Sequence, residues 1–333
     1  MPELRTDRLH LENSTIVRSS DAKKTARAVA RGVAAVTVRL LRGFFAVVGR
    51  IAPGVASHVA EALFLRPMRV PTPSRERRWL MPTGKIGIES FEVATDAGPV
   101  VVWSWSPGRR SWTDGPKTPT VLLVHGWGGR GSQLGALAEP LAREGFRVVA
   151  FDGPGHGETA RKTGRKKSSM PEMVDAVLGL ARHLGPLEGV VAHSAGAGAV
   201  TYALRHGLET RRLVYVAPGV EPSLFTEGLS RLLGISQPVL DRMRERLEAR
   251  FGIRWTDFRG ATFAPRRPEP LVVFHDRLDD EIPCWQSREL VEAWPGARLE
   301  VVSGLGHRRI LRDPRVVAGA VDFLTAEEEE AAA

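Results

Sequence analysis

The sequence predicts an α/β protein, a mostly parallel central sheet flanked by helices, and three observations predict it. Short apolar runs rich in β-branched residues recur along the chain at 120–124, 146–151, 212–216 and 271–275 and read as strands buried on both faces. Stretches with helical spacing, such as 131–144 and 195–205, alternate with them. Several of the strands run directly into glycine-rich loops that carry polar side chains, at 125–129, 152–159 and 303–307.

The bounds of the chain come from length and charge. At 333 residues with 43% hydrophobic content it can bury a large core and hold one α/β domain plus an appendage. The lone Cys284 excludes an internal disulfide framework and a cysteine-built zinc site, and fits a reducing compartment. The opening Met-Pro-Glu-Leu-Arg-Thr-Asp lacks the charged-then-apolar pattern of a secretory signal, so the expectation is a cytoplasmic protein. Its net charge of +9 is lopsided: residues 1–80 hold 15 Lys and Arg against 6 Asp and Glu, which leaves 32 of the 47 bases and 32 of the 38 acids for the rest. We therefore expect two parts, a basic, apolar helical extension with a proline-rich linker at 1–80 and a neutral domain at 81–333.

Within the extension, residues 20–66 are rich in Ala and Val and punctuated by Arg27, Arg31, Arg39, Arg42 and Arg50. The uncharged runs are too short to span a bilayer, so amphipathic helices broken near Ile51-Ala-Pro-Gly54 are expected. They have three candidate roles: peripheral contact with an anionic membrane, cover for a pocket mouth, or plain packing on the domain. Packing or cover is favoured, because Val and Ala with few bulky aromatics make a weak interfacial anchor. Residues 66–82 are proline-dense and read as an extended linker. The domain then opens with runs at 85–94 and 100–105 around Thr95-Asp-Ala-Gly98, the spacing of an antiparallel hairpin. Between the strand at 212–216 and the one at 271–275 lies a long excursion with helical periodicity at 225–233 and 239–251, a helical cap inserted at about 217–268. The last strand is expected at 298–302.

The stretch that organises the rest is Val190-Val-Ala-His-Ser-Ala-Gly196, a buried strand that breaks at Ser194 into a helix. Ala-His-Ser-Ala-Gly resembles the nucleophile elbow G-x-S-x-G of the α/β-hydrolase family, with Ala192 in the place of the first glycine. His125-Gly-Trp-Gly-Gly129 resembles that family's oxyanion loop after the third strand, and Asp152-Gly-Pro-Gly-His-Gly-Glu-Thr159 its loop after the fourth. His125 and His156 stand in tight glycine turns and are read as structural. Asp276-Arg-Leu-Asp-Asp-Glu-Ile-Pro283 carries three candidate acids, of which the resemblance favours Asp279 over Asp276 and Asp280. Ser303-Gly-Leu-Gly-His307 places a histidine where the family keeps its base.

The resemblance implies an α/β-hydrolase fold and a triad of Ser194, Asp279 and His307, with the backbone N–H groups of Trp127 and Ala195 as the oxyanion hole. It also implies a cap that roofs the pocket, with His193, Phe225, Leu229, Leu232, Leu233 and Trp255 as lining candidates. The expected activity is cleavage of a small-molecule carboxylic ester or thioester through an acyl-enzyme. Acyl transfer to another acceptor and a non-catalytic binding protein on the same fold are the alternatives. No cofactor or metal is expected, because the histidines are scattered and no H-E-x-x-H occurs. No nucleic acid is expected, because the basic segment lacks interleaved aromatics.

Overall fold

The computed structural model describes residues 32–68, 71–82, 86–108, 118–264 and 267–326. Residues 20–31 of the basic segment and the expected strand start at Lys85 lie outside the described residues. The described chain forms two compact units, one of residues 32–60 with 226–243, the other of residues 61–225 with 244–326.

The larger unit is built on one eight-stranded sheet. Its strands are β1 (Ile86–Thr95), β2 (Gly98–Pro107), β3 (Thr120–Val124), β4 (Arg147–Asp152), β5 (Leu187–His193), β6 (Thr210–Val216), β7 (Leu271–Asp276) and β8 (Arg298–Val302), in spatial order β1-β2-β4-β3-β5-β6-β7-β8. β1 and β2 form the expected hairpin, with Thr95 opposite Gly98, and β2 also runs antiparallel to β4. From β4 through β3, β5, β6 and β7 to β8 all pairings are parallel.

Because side chains alternate across a strand, the apolar runs feed two cores. Leu122, Val124, Val190, Ala192, Leu213, Tyr215 and Val273 face one, and Val121, Leu123, Val191, Val214, Val216, Val272 and Phe274 the other.

The helices in chain order begin with α1 (Gly32–Ile51), α2 (Pro53–Phe64), α3 (Ser74–Arg78) and α4 (Gly135–Arg143). Next come α5 (Gly157–Thr163), α6 (Met170–Leu184), α7 (Ala195–Arg205), α8 (Ser223–Leu233) and α9 (Gln237–Phe251). The last four are α10 (Gly260–Phe263), α11 (Trp285–Ala293), α12 (Gly306–Arg309) and α13 (Pro314–Thr325). Met173, Val177 and Leu180 of α6 and Ala197, Val200 and Leu204 of α7 complete the first core, while Leu137 and Leu141 of α4 and Val316, Ala320 and Phe323 of α13 complete the second.

Two expectations about the first 82 residues are corrected. The break after Ile51 falls where expected, but by length and composition alone α1 is long and apolar enough to cross a membrane, because helix formation carries the apolar runs across Arg39 and Arg42 without interruption. The proline-dense stretch is also not extended throughout. Pro73 caps α3, and Glu76 on that helix is buried, where it accepts from Arg130 Nε at 2.6 Å and Ser132 Oγ at 3.3 Å. A buried charge held by a guanidinium and a hydroxyl anchors the segment against the sheet domain. Trp79 follows, its carbonyl accepting from Trp105 Nε1 at 2.9 Å.

Candidate active site

β5 delivers Ser194 to the carboxyl edge of the sheet. The chain reverses there with φ 54° and ψ −131°, a conformation that L residues avoid. Three backbone bonds impose it: the Ser194 N–H donates to Val216 O at 3.1 Å, and its C=O accepts from Gly219 N at 2.9 Å and Ala197 N at 3.0 Å. Strain of this kind costs on the order of 1–3 kcal/mol and persists where the surroundings over-determine it.

The helix that follows can approach only because residue 196 is glycine, since a Cβ there would lie 2.5 Å from His125 O and 2.8 Å from Val124 O. Ala192 at the other small position is fully buried in the sheet core, so a methyl group fits where the resembling motif has glycine. Ala195 is the first residue of α7, and its N–H has no partner within the helix.

The loop after β3 lies directly on the serine. A Cβ at Gly126 would stand 2.7 Å from Ser194 Cβ and 3.1 Å from Ser194 Oγ. His125 fixes the loop from beneath: Nδ1–H donates to Gly126 O at 2.7 Å, and Nε2 accepts from Gly153 N at 2.9 Å. Burial first, and the neighbouring His156 second, push its pKa down to about 3, so the ring is neutral and both bonds are kept. Trp127 is half-buried, its ring set edge-on against His156 at 5.3 Å. Both histidines thus serve the loops around the serine, as the tight turns predict. Asp152 ties the loop after β4 to the same edge, accepting from Gly131 N at 2.7 Å and Glu158 N at 2.6 Å.

The turn after β7 and the loop after β8 bring Asp279 and His307 together. His307 Nδ1 donates to Asp279 Oδ2 at 2.8 Å, and both side chains are almost entirely buried. Asp279 Oδ1 accepts from the N–H groups of Glu281 and Ile282, each at 2.9 Å. Burial alone would raise the pKa of this carboxyl, but the His275 and His307 rings and the Ile282 N–H outweigh it and hold it well below the usual carboxylate range.

Asp276, the runner-up for the acid role, is held by backbone N–H groups. Its carboxylate accepts from four of them, those of Leu278 and Gly304 on one oxygen and of Leu305 and Gly306 on the other. It therefore clamps the acid turn to the histidine loop. His193 closes the arrangement. Its Nε2–H donates to His307 O at 3.0 Å, and its ring lies 4.6 Å from that of His307, so the residue before the serine holds the histidine loop in place.

Of the expected pocket residues, Phe225 is beside the elbow. A Cβ on Gly219 would lie 3.0 Å from Phe225 Cζ and 3.4 Å from both Ile282 Cδ1 and Ala195 N. Ile282 was not foreseen, because its position depends on how the acid turn folds. Leu229, Leu232 and Leu233 belong to the other compact unit. Trp255 packs on Phe64 at 5.6 Å and donates its backbone N–H to Glu248 at 2.6 Å. Gln286, also unforeseen, uses Oε1 to accept from Val220 N and Glu221 N, both at 3.0 Å, where the excursion leaves the sheet. The basic run at 161–167 pairs Arg161 with Glu158, Lys162 with Glu92 and Arg165 with Glu172.

Residues 115–309 match the hydrolase family described as serine aminopeptidase, S33. That span is more than half of the chain. The chain belongs to this hydrolase family. Curated relatives include a non-heme haloperoxidase from Rhodococcus erythropolis, 31% identical over 157 residues that make up 46% of this chain and 53% of the relative. Another is a bifunctional esterase/perhydrolase from Acinetobacter calcoaceticus, 29% identical over 135 residues, 40% of this chain and 48% of the relative. The chain thus spans about half the length of the curated relatives it matches.

The structure of a carboxylesterase from Bacillus subtilis matches with a TM-score of 0.54 at 15% identity, over 81% of this chain and 98% of that one. An esterase from Pyrococcus furiosus matches with a TM-score of 0.54 at 18% identity, over 78% and 97%. The S33-family chain described here therefore has the α/β-hydrolase fold that the sequence predicts.

Proposed function

We propose that this family member is a serine hydrolase that cleaves a small-molecule carboxylic ester or thioester through an acyl-enzyme on Ser194. The observation that carries the reading is the strained Ser194 backbone, set at one sheet edge beneath the Gly126 loop and joined through His193 to the Asp279–His307 pair. With Nδ1–H committed to Asp279, the Nε2 of neutral His307 is free of a proton and serves as the base for the serine hydroxyl. The serine oxygen attacks the acyl carbonyl, and the N–H groups of Ala195 and Trp127 receive the developing oxyanion. His307 then returns the proton to the leaving alkoxide or thiolate, and water, activated by the same histidine, releases the acid. Phe225 and Ile282 stand next to the Ala195 N–H, which supports an apolar wall for the acyl group.

The acyl acceptor is open to a second reading, because one relative is named for both esterase and perhydrolase activity. A serine that holds an acyl group can pass it to hydrogen peroxide or an alcohol as well as to water. The test is esters graded by acyl length, assayed with and without those acceptors, together with mass-spectrometric mapping of a fluorophosphonate adduct. Ser194→Ala is expected to abolish the adduct and reduce turnover by ~10⁶-fold, as loss of the nucleophile does in a triad. A label on another serine, or full activity in the variant, overturns the assignment.

A further inference from the structure

Five large apolar side chains lie open to solvent on one face of α1. Val33, Val36, Leu40, Val47 and Ile51 are each more than half exposed, and at helical spacing they fall within an arc of about 60°. Val55 and Leu232, in the same compact unit, are exposed to a similar degree. The covered residues of α1 fall on the opposite side of the helix. Phe45 is buried, a Cβ at Gly49 would meet Val239 at 3.6 Å, and Arg42 donates to the carbonyls of Leu232 at 2.9 Å and Arg231 at 3.2 Å, capping α8. Arg39 and Arg50, both exposed, border the apolar stripe along one side. Between Asp21 and Glu61 the chain carries seven Lys and Arg and no acidic residue.

We propose that α1 docks in the plane of an anionic lipid bilayer, its valine and leucine stripe in the acyl boundary and Arg39 and Arg50 at the level of the phosphates. Charge complementarity selects this occupant. Seven cations without one anion suit a negative surface, whereas a second copy of the chain would bring the same seven charges and repel. A row of large exposed apolar residues beside arginines is also the pattern of a helix that lies in an interface. Although α1 has the length and composition of a span, Arg39 and Arg42 would fall near mid-membrane, and Arg42 would have to abandon the carbonyls it caps. The stripe therefore enters the membrane sideways. This inference does not rest on the chemistry of Ser194.

The experiment is sedimentation of the full chain with phosphatidylcholine vesicles that contain or lack phosphatidylglycerol, across a salt series. Binding is expected only to the anionic vesicles, to weaken as salt rises, and to be reversed by alkaline carbonate. Leu40→Glu combined with Val47→Glu should lower affinity at least tenfold while helix content and turnover of a soluble ester stay unchanged. Arg39→Gln with Arg50→Gln, a milder pair, should cost about fivefold for each arginine near the surface. Equal binding to neutral vesicles, indifference to either pair, or resistance to carbonate would overturn the in-plane arrangement. So would lipid-free self-association that the glutamate pair dissolves, since the stripe would then be covered by a second copy.

Discussion

Two aspartates three residues apart occupy positions with different consequences. Asp279 holds the His307 ring through one oxygen and its own turn through the other, so Asp279→Asn keeps the turn, through the remaining carbonyl, and presents an N–H to His307 Nδ1. The histidine is then locked in the wrong tautomer. We expect kcat to fall by ~10⁴-fold, as in the best-studied triad, with thermal stability close to that of the parent. Asp276→Asn should behave in the opposite way, because only one of its two positions can still accept and four backbone N–H groups need acceptors. Its midpoint of unfolding should drop by several degrees, equivalent to about 2–3 kcal/mol for weakened charge-assisted bonds, and kcat should suffer less than in Asp279→Asn. Steady-state kinetics and thermal melts on the two variants check this, and a larger kcat loss at Asp276 would reverse the roles. Sequence spacing alone placed three aspartates in contention, and only the resemblance separated them. The hydrogen-bond partners that distinguish them come from loops almost thirty residues away.

At the scale of the elements, the strands were readable because buried β-branched runs leave little choice of conformation. β3 and β8 fall where expected, and the other strands differ by a few residues at their ends, where hydrogen bonding rather than composition sets the boundary. The glycines of the loop after β3 and of the turn at Ser194 were visible as letters, but what each one clears was not. Gly126→Ala should push the loop off Ser194 and cost about 10²–10³-fold in kcat, the scale of losing one oxyanion donor. Gly196→Ala drives a methyl group into the carbonyls that end β3, and should destabilise the fold by about 1–3 kcal/mol. Gly228→Ala, where nothing lies within 4 Å, is the control and should be neutral or slightly stabilising within α8. Urea titrations and kinetics on the three variants separate these outcomes. A harmless Gly126→Ala would show that the loop shifts freely and does not position an oxyanion donor.

For the molecule as a whole, the buried histidines set the response to acid. His125 and His193 are both held neutral, with burial as the leading cause and a neighbouring histidine second, and each pKa is pushed down to about 3. A group with a depressed folded pKa contributes stability that is present above its unfolded value, near 6.5, and is lost as pH falls toward the folded value. Stability should therefore decline from about pH 6.5 downward, by about 2 kcal/mol for each histidine at pH 5, offset in part by Asp152, whose carboxyl is pushed up to about 6 by burial and takes up its proton in the same range. His125→Gln should flatten part of that slope, read as the urea midpoint between pH 7 and pH 5, and an unchanged slope would remove His125 as a cause.

The sequence by itself determined the α/β class, the strands, the helices between β6 and β7 and the motifs around Ser194 and His307, because all of these are written in local patterns of a few residues. Tertiary structure alone decided what those patterns share. It buried Glu76 against Arg130, gave Asp276 its four donors, grouped residues 226–243 with the N-terminal helices and left one face of α1 bare. Each of those outcomes depends on partners distant in the chain, and periodicity, which reports which face of a segment is apolar, carries no record of what that face will meet.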